Sequence, residues 1–271
     1  MKKIFYKNHL IKKKLGQTFL KDQNIINTII NHIQLKKQQI TVEIGPGLGA
    51  LTKEIIKLVD QLTVIEIDQN LSQRLIKNLS IKKINVIQKN VTTINFKELS
   101  NHIGQPIRII GNLPYNIATK IIFHLLQYSD IIQDMYLMLQ TEIAKRLMAA
   151  PNNKNYGKLS VVSQYYCSIT GVLEVQSHAF VPKPQVNSRM VKLVPYHTNN
   201  NPYPKTDIQK LNTVTRIAFN QRRKTIKNSL SSIFEPQELK NQGINLQSRA
   251  ENLNIEQFCN LANATKKCIY Q

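Results

Sequence analysis

A chain of 271 residues and 31.2 kDa is long enough to bury a sizeable core, as one large domain with an appendage or as two domains. Its apolar runs are broken by Lys, Asn or Gln well short of the roughly 20 residues of a membrane-spanning helix, and Lys12-Lys13-Lys14 arrives before a signal-peptide core could form, which counts against membrane insertion and secretion and leaves the cytoplasm. The 37 Lys and Arg against 16 Asp and Glu, a formal charge of +21 and a pI near 9.9, point to a polyanionic partner, nucleic acid first, although a genome rich in A+T would also enrich Lys, Asn and Ile.

In chain order, residues 22–34 repeat Ile at three- and four-residue steps, predicting an amphipathic helix capped near Asp22. A strand follows at 41–44, a glycine turn at 45–49, a helix at 50–59, a strand at 62–68, a helix to about Leu79, and strands at 84–87 and 107–110. A helix at 119–127, a strand at 135–139 and a helix at 142–149 come next. Strands alternating with helices imply a parallel sheet covered on both faces, with a ligand crevice outside the carboxyl ends of the strands. The Val and Tyr content of 159–169 and 190–194 predicts further strands, of antiparallel type. The composition of 196–205 is that of a linker, and 208–219, 225–234 and 255–261 read as helices of a small second domain. Cys167, Cys259 and Cys268 share no C-x-x-C spacing, so neither a disulfide framework nor a metal site is readable.

Two motifs carry chemistry. The first, V42-E-I-G-P-G-L-G-A50, is a glycine-rich loop between a strand and a helix. Gly45, Gly47 and Ala50 satisfy a dinucleotide fingerprint, and Glu66 lies 21 residues past Gly45, where a ribose-binding carboxylate would sit. The same residues satisfy the E-x-G-x-G-x-G pattern of enzymes that bind S-adenosylmethionine. Pro46 tilts the choice toward the latter, because it has no N–H to offer a pyrophosphate at the centre of the turn. Glu43 then faces the ammonium of the cofactor and Glu66 its ribose hydroxyls. The second motif, G111-N-L-P-Y-N-I-A-T-K120, follows an apolar strand. The lone pair of an exocyclic nucleobase amine is delocalised into the ring, and two acceptors, the Asn112 side-chain oxygen and the Leu113 carbonyl, could draw that nitrogen toward a tetrahedral geometry. Pro114 would fix the backbone that aims the carbonyl, and Tyr115 would offer a ring face for stacking.

Together these stretches resemble the small-subunit (16S) ribosomal RNA adenine N6-dimethyltransferase family. K14-L-G-Q-T-F-L20, M138-L-Q-T-E-I-A-K-R-L147, Y156-G-K-L-S-V161, A179-F-V-P-K-P-Q-V-N-S188, A218-F-N-Q-R-R-K-T-I-K-N-S-L230 and R249-A-E-N252 extend the similarity over almost the whole chain. The resemblance implies an α/β fold: a Rossmann-like S-adenosylmethionine-dependent methyltransferase domain over residues 1–197, and a small all-helical RNA-binding domain over 198–271. It implies N6,N6-dimethylation of two adjacent adenosines near the 3′ end of 16S rRNA in the small ribosomal subunit. Gln17, Phe19, Leu20, Glu43, Gly45, Gly47, Glu66, Ile67, Asn90 and Asn112 would bind the cofactor. Asn112, Leu113, Pro114 and Tyr115 would hold the target amine, with Phe180 stacked on the adenine opposite Tyr115; its stiff loop V181-P-K-P184 argues for an accessible ring.

Departures from the family are Asn90 where an Asp is usual, Thr18 where Asn is common, and Gln185 in place of a Lys. Asn90 keeps an acceptor oxygen and loses a charge. The clusters Lys12, Lys13, Lys14 and Arg222, Arg223, Lys224 with Lys227 are expected to contact RNA phosphates. Repulsion between highly charged copies favours a monomer. The alternatives are a large-subunit rRNA methyltransferase of the macrolide-resistance type, a ribosome-assembly factor that keeps the fold without the chemistry, and, disfavoured by Pro46, a nicotinamide-dependent oxidoreductase.

Overall fold

The computed structural model describes residues 4–78, 83–101, 105–197 and 200–265. Cys268 and Leu79, the expected end of the third helix, lie outside the described residues, as do positions 198 and 199 of the expected linker. The chain divides into two compact units, Met1–Ala144 with Ile169–Pro195, and Lys145–Ser168 with Tyr196–Gln271. Residues 145–168 thus pack with the second unit, although the expected boundary at 197/198 assigns them to the first.

The first unit opens with two-residue strands β1 (Phe5–Tyr6) and β2 (His9–Leu10), an antiparallel hairpin closed by Lys7 and Asn8 at φ 47° and 58°. Strand β3 (Phe19–Leu20) follows, and then α1 (Gln23–Ile33), whose Asp22 cap accepts from the amides of Asn24 and Ile25. The isoleucine period works as a stripe: Ile26, Ile29 and Ile33 are buried, each worth about 2 kcal/mol of apolar transfer. Strands and helices then alternate: β4 (Ile40–Ile44), α2 (Thr52–Leu58), β5 (Leu62–Ile65), α3 (Gln69–Asn78), β6 (Ile84–Ile87), α4 (Phe96–Asn101), β7 (Ile107–Asn112), α5 (Ala118–Leu126) and β8 (Ile132–Gln140).

After β8 come α6 (Thr141–Leu147), α7 (Lys158–Tyr166), β9 (Cys167–Val175), β10 (Phe180–Val181) and β11 (Ser188–Pro195). The main sheet has seven strands in the order β6-β5-β4-β7-β8-β11-β9. Its first five run parallel, and β11 returns antiparallel to β8. Because β4 has β5 on one side and β7 on the other, chain direction across the sheet reverses there, and a crevice opens at the carboxyl ends of these strands. Gly111 lets β7 pass close to β4: a Cβ there would stand 2.9 Å from the Ile44 carbonyl oxygen.

One expected strand is a helix. The apolar stretch at 159–169 forms α7 as far as Tyr166, and only then the strand β9. The Ser160 hydroxyl accepts from the Gly157 amide and so starts the helix, and Val161 and Tyr165 turn into the core of the second unit. Packing outweighs the strand preference of Val and Tyr. The second unit continues with α8 (Ile208–Asn220), α9 (Ile226–Ser229), α10 (Pro236–Asn241) and α11 (Ile255–Ala264). The helix expected at 225–234 is confined to the four residues of α9, and α10, begun by Pro236, has no counterpart among the predicted elements.

Candidate active site

The glycine loop leaves β4 at Ile44 and is spent on internal bonds. The amide of Gly45 donates to Ile65 O at 2.9 Å, that of Gly47 to Glu66 Oε2 at 3.2 Å, and that of Gly49 to Pro46 O at 2.9 Å. With Pro46 lacking an N–H, the loop amides at 45–47 and 49 have nothing left for a pyrophosphate, and two carboxylates border the loop; it is not an anion cradle. Gly47, at φ 58°, has a second reason to lack a side chain: a Cβ would stand 2.9 Å from the Phe19 ring.

Those carboxylates are Glu43 on β4 and Glu66 just past β5. Glu43 is 2% exposed, and its Oε2 and the nearby Thr52 hydroxyl are both without a hydrogen-bond partner. Burial pushes its carboxyl up to about 7; Thr52 works against that shift and the Glu66 charge adds to it. A buried acceptor in this state fits a cationic ligand group such as an ammonium. Glu66, 6% exposed, accepts from the amides of Gly47 and, at 2.9 Å, Asp68, and burial again raises its pKa. Each oxygen keeps a further lone pair, as acceptance from vicinal hydroxyls requires.

One cavity is lined by Gln17, Phe19, Leu20, Glu43, Gly45, Gly47, Glu66, Ile67, Asn90 and Asn112, and also by Pro114. The donors and acceptors along it fit S-adenosylmethionine: an orphan carboxylate for the ammonium, a second for the ribose, and a glycine turn that a Cβ would fill. Among the described residues no group of three or more His, Cys, Asp or Glu gathers to hold a metal ion.

Asn112 ends β7 at the rim of this cavity. Its Nδ2 donates to Thr18 O at 2.9 Å, which fixes the amide so that the buried Oδ1 is left without a partner. Sequence alone does not reveal that the Thr18 backbone sets this orientation. Leu113 is buried, its amide bonded to Met138 O. The Tyr115 hydroxyl lies 2.8 Å from Ser188 Oγ, and burial raises its pKa against the opposing effect of Ser188 and Thr18. Ser188 on β11 is thus a further residue of the site that only the fold reveals.

Three expectations need correction. Phe180 is 1% exposed and belongs to the hydrophobic core with Leu20, Ala179 and Met190. It begins β10, whose pairing with β3 sets it opposite Leu20, so the stiff loop after it does not keep the ring accessible. Lys12 directs its ammonium to Asp68 Oδ1 at 2.8 Å, whereas Lys13 and Lys14 are exposed. In the second unit Arg222, exposed like Arg223, Lys224 and Lys227, differs from them in donating to the carbonyls of Lys154 and Tyr156 and to Glu251, so it also holds the fold. Asn90 also serves locally, its Oδ1 accepting from the amide and hydroxyl of Thr92.

The chain matches the family model described as ribosomal RNA adenine dimethylase over residues 8–267. It is 54% identical over 261 residues to the ribosomal RNA small subunit methyltransferase A of Blochmanniella floridana, covering 96% of each chain. It is 49% identical over 259 residues to the protein of the same name from Pectobacterium atrosepticum, covering 95% of this chain and 94% of that one. In three dimensions it resembles a dimethyladenosine transferase from Plasmodium falciparum, with a TM-score of 0.73 at 24% identity over 89% of this chain and 95% of that one. It also resembles the 23S rRNA methyltransferase ErmE, with a TM-score of 0.67 at 22% identity over 92% of this chain and all of that one. At those identities the two structures establish the α/β methyltransferase fold alone. The chain belongs to the ribosomal RNA adenine dimethylase family.

Proposed function

We propose that this member of the ribosomal RNA adenine dimethylase family methylates adenosine N6 in small-subunit RNA, with S-adenosylmethionine as donor, placing two methyl groups on each of two adjacent adenosines near the 3′ end. The observation that carries the proposal is the orphan acceptor Asn112 Oδ1, buried and fixed by Thr18, on the same cavity as the unpartnered Glu43 Oε2. When bound, the cofactor supplies an electrophilic methyl on a sulfonium. Glu43, Glu66 and the glycine turn would hold it.

The chain's own task is alignment and electrostatic support. Asn112 Oδ1 accepts a hydrogen from the exocyclic amine and draws the nitrogen lone pair out of conjugation; the Leu113 carbonyl, aimed by Pro114, accepts the other. Both favour an amine that becomes cationic on alkylation. No general base is needed, because an alkylated aromatic ammonium loses its proton to water. Tyr115, tethered to Ser188, supplies the stacking face. Phe180 would need to leave the core to stack, so here its part is to support β3 through its place opposite Leu20. The exposed Lys13 and Lys14 of the first unit, and Arg223, Lys224 and Lys227 of the second, are the cations for RNA phosphates. RNA binding by the helical second unit, residues 145–168 included, and action in the cytoplasm as a monomer complete the proposal.

Similarity to ErmE keeps a second target class in view, the large-subunit RNA. Incubating the protein and methyl-labelled S-adenosylmethionine with small and large ribosomal subunits that lack adenine methylation separates the two. Label in the small subunit alone is expected; label in the large subunit alone would select the second target, and label in neither would leave an assembly factor.

A further inference from the structure

Asp68 stands two residues beyond Glu66 and is 2% exposed, its side chain wholly buried. It accepts four hydrogen bonds or close contacts. Lys12 Nζ reaches Oδ1 at 2.8 Å and Gln17 Nε2 reaches Oδ2 at 2.7 Å; the Asn70 amide donates to Oδ1, and His9 Nε2 stands 3.9 Å from Oδ2. Three of these four groups belong to one stretch of chain, residues 9–17, that is remote in sequence and adds no strand to the main sheet. Gln17 closes the set from its other side, its Oε1 accepting from the Lys12 amide at 2.8 Å.

The same stretch also grips the second motif. The Thr18 carbonyl holds the Asn112 amide at 2.9 Å, and the Lys14 carbonyl accepts from Asn116 Nδ2 at 3.3 Å. Gly16, at φ 63°, adopts a left-handed backbone that strains any other residue, and a Cβ would also displace the Asn116 side chain, 2.8 Å away at Oδ1. One segment therefore forms a wall of the cavity and orients the acceptor of the target amine, and beside the apolar cluster of Ile11, Phe19 and Leu71 its polar anchor just past the cofactor strand is a single buried carboxylate. The Asp68 amide, in turn, donates to Glu66 Oε1.

We propose that Asp68 is a positioning residue: by seating residues 9–17 it fixes both the cofactor wall at Gln17 and, through the adjoining Thr18 carbonyl, the direction of Asn112 Oδ1. The proposal rests on the cavity being the cofactor site and goes beyond it by coupling the cofactor end to the target end through the N-terminal segment. Ion pairing alone would make Lys12 the main partner; the geometry instead gives Gln17 an equal share and makes the segment respond as a unit.

The test uses the full chain and three variants: Asp68→Asn, Lys12→Met and the two combined. Amide hydrogen exchange reads the seating without any ligand. In Asp68→Asn, the amides of Lys12, Leu15 and Gly16, bonded to Gln17, Lys12 and Lys13, are expected to exchange about tenfold faster or more, as loss of hydrogen bonds to a charged acceptor implies. The amides of β4 and β5 are expected to be unchanged. Calorimetry with S-adenosylhomocysteine is expected to show affinity about tenfold weaker in Asp68→Asn, less so in Lys12→Met, and no weaker in the double variant than in Asp68→Asn.

In turnover the KM for S-adenosylmethionine should rise and kcat fall together, because Asn112 loses its fixed orientation. Uniformly faster exchange across both units would make Asp68 merely structural. Exchange at 12–16 unchanged from wild type would overturn the proposal outright. Should wild type fail to bind S-adenosylhomocysteine, the cofactor assignment of the cavity fails, while the exchange data still decide whether Asp68 seats the segment.

Discussion

The two ends of the cleft are built from opposite materials. At the β4–β5 end, two carboxylates are buried, one with an unpartnered oxygen, at a cost that a ligand cation would offset. At the β7 end, the corresponding orphan is the neutral amide oxygen of Asn112, oriented by the Nδ2 bond to a backbone carbonyl and indifferent to pH. The contrast follows from the chemistry each end must accept. A ligand that arrives already charged is met by full charge, whereas an amine that starts neutral and becomes cationic only during reaction is met by a fixed dipole.

The contrast can be broken most severely at the neutral end. Asn112→Ala is expected to lower kcat by about 10²–10³-fold, the usual effect of removing one preorganised electrostatic partner. Affinity for S-adenosylhomocysteine should fall far less, although Asn112 also lines the cofactor cavity; a loss of affinity as large as the loss of kcat would show that Asn112 serves the cofactor alone.

At the charged end the decisive variable is pH. The folded-state pKa of Glu43 is raised to about 7, so the ligand-free fold binds a proton that the unfolded chain releases near the ordinary carboxylate value of 4.5. The stability associated with that proton is full below the lower value and is lost as pH rises through about 7. Glu43→Gln should therefore gain about 3 kcal/mol on wild type between about pH 5 and about pH 8 in denaturant unfolding. In the same variant, cofactor binding should weaken and keep only the pH dependence that Glu66 contributes, while wild type binds more tightly as pH rises and releases a proton to the buffer. A wild-type affinity that is flat from about pH 6 to about pH 8 would remove the ammonium from Glu43.

Smaller effects sharpen the picture. Gly47→Ala combines a left-handed backbone with an encounter at the Phe19 ring and should cost about 1–2 kcal/mol of stability, read by denaturant unfolding. Asn90→Asp restores a charge at the cavity rim while keeping the Thr92 bonds, and should tighten cofactor binding by about 1 kcal/mol. Alanine at Arg223, Lys224 or Lys227 should each lessen the salt dependence of RNA binding by about 0.7–0.9 in slope. Arg222→Ala should instead lower the stability of the second unit, since its guanidinium is bonded to Lys154, Tyr156 and Glu251.

Local patterns made much of this legible. The Ile spacing gave α1 and its Asp22 cap, the alternation gave the parallel part of the sheet, and the glycine turn and Asn112–Tyr115 were marked by residue types that few other roles demand. What stayed hidden depends on partners distant in sequence. Lys12 and Lys13 look alike in a run of three, yet only Lys12 meets Asp68 across 56 positions. Phe180 sits in a proline-rich stretch that reads as a surface loop, and its burial follows from β10 pairing with β3. The stretch 159–166 has strand composition and becomes a helix because Val161 and Tyr165 face the core of the second unit. Asp68 carries no motif signal of its own; its role appears only once residues 9–17 are seen to converge on it.

The claim that chemistry resides in the Asn112 acceptor is tested most directly by nucleoside mass spectrometry of RNA from unmethylated small subunits incubated with S-adenosylmethionine and either wild type or Asn112→Ala. The account predicts N6,N6-dimethyladenosine at two adjacent positions with wild type and almost none with a variant that still binds S-adenosylhomocysteine. Equal dimethyladenosine from both proteins would contradict it.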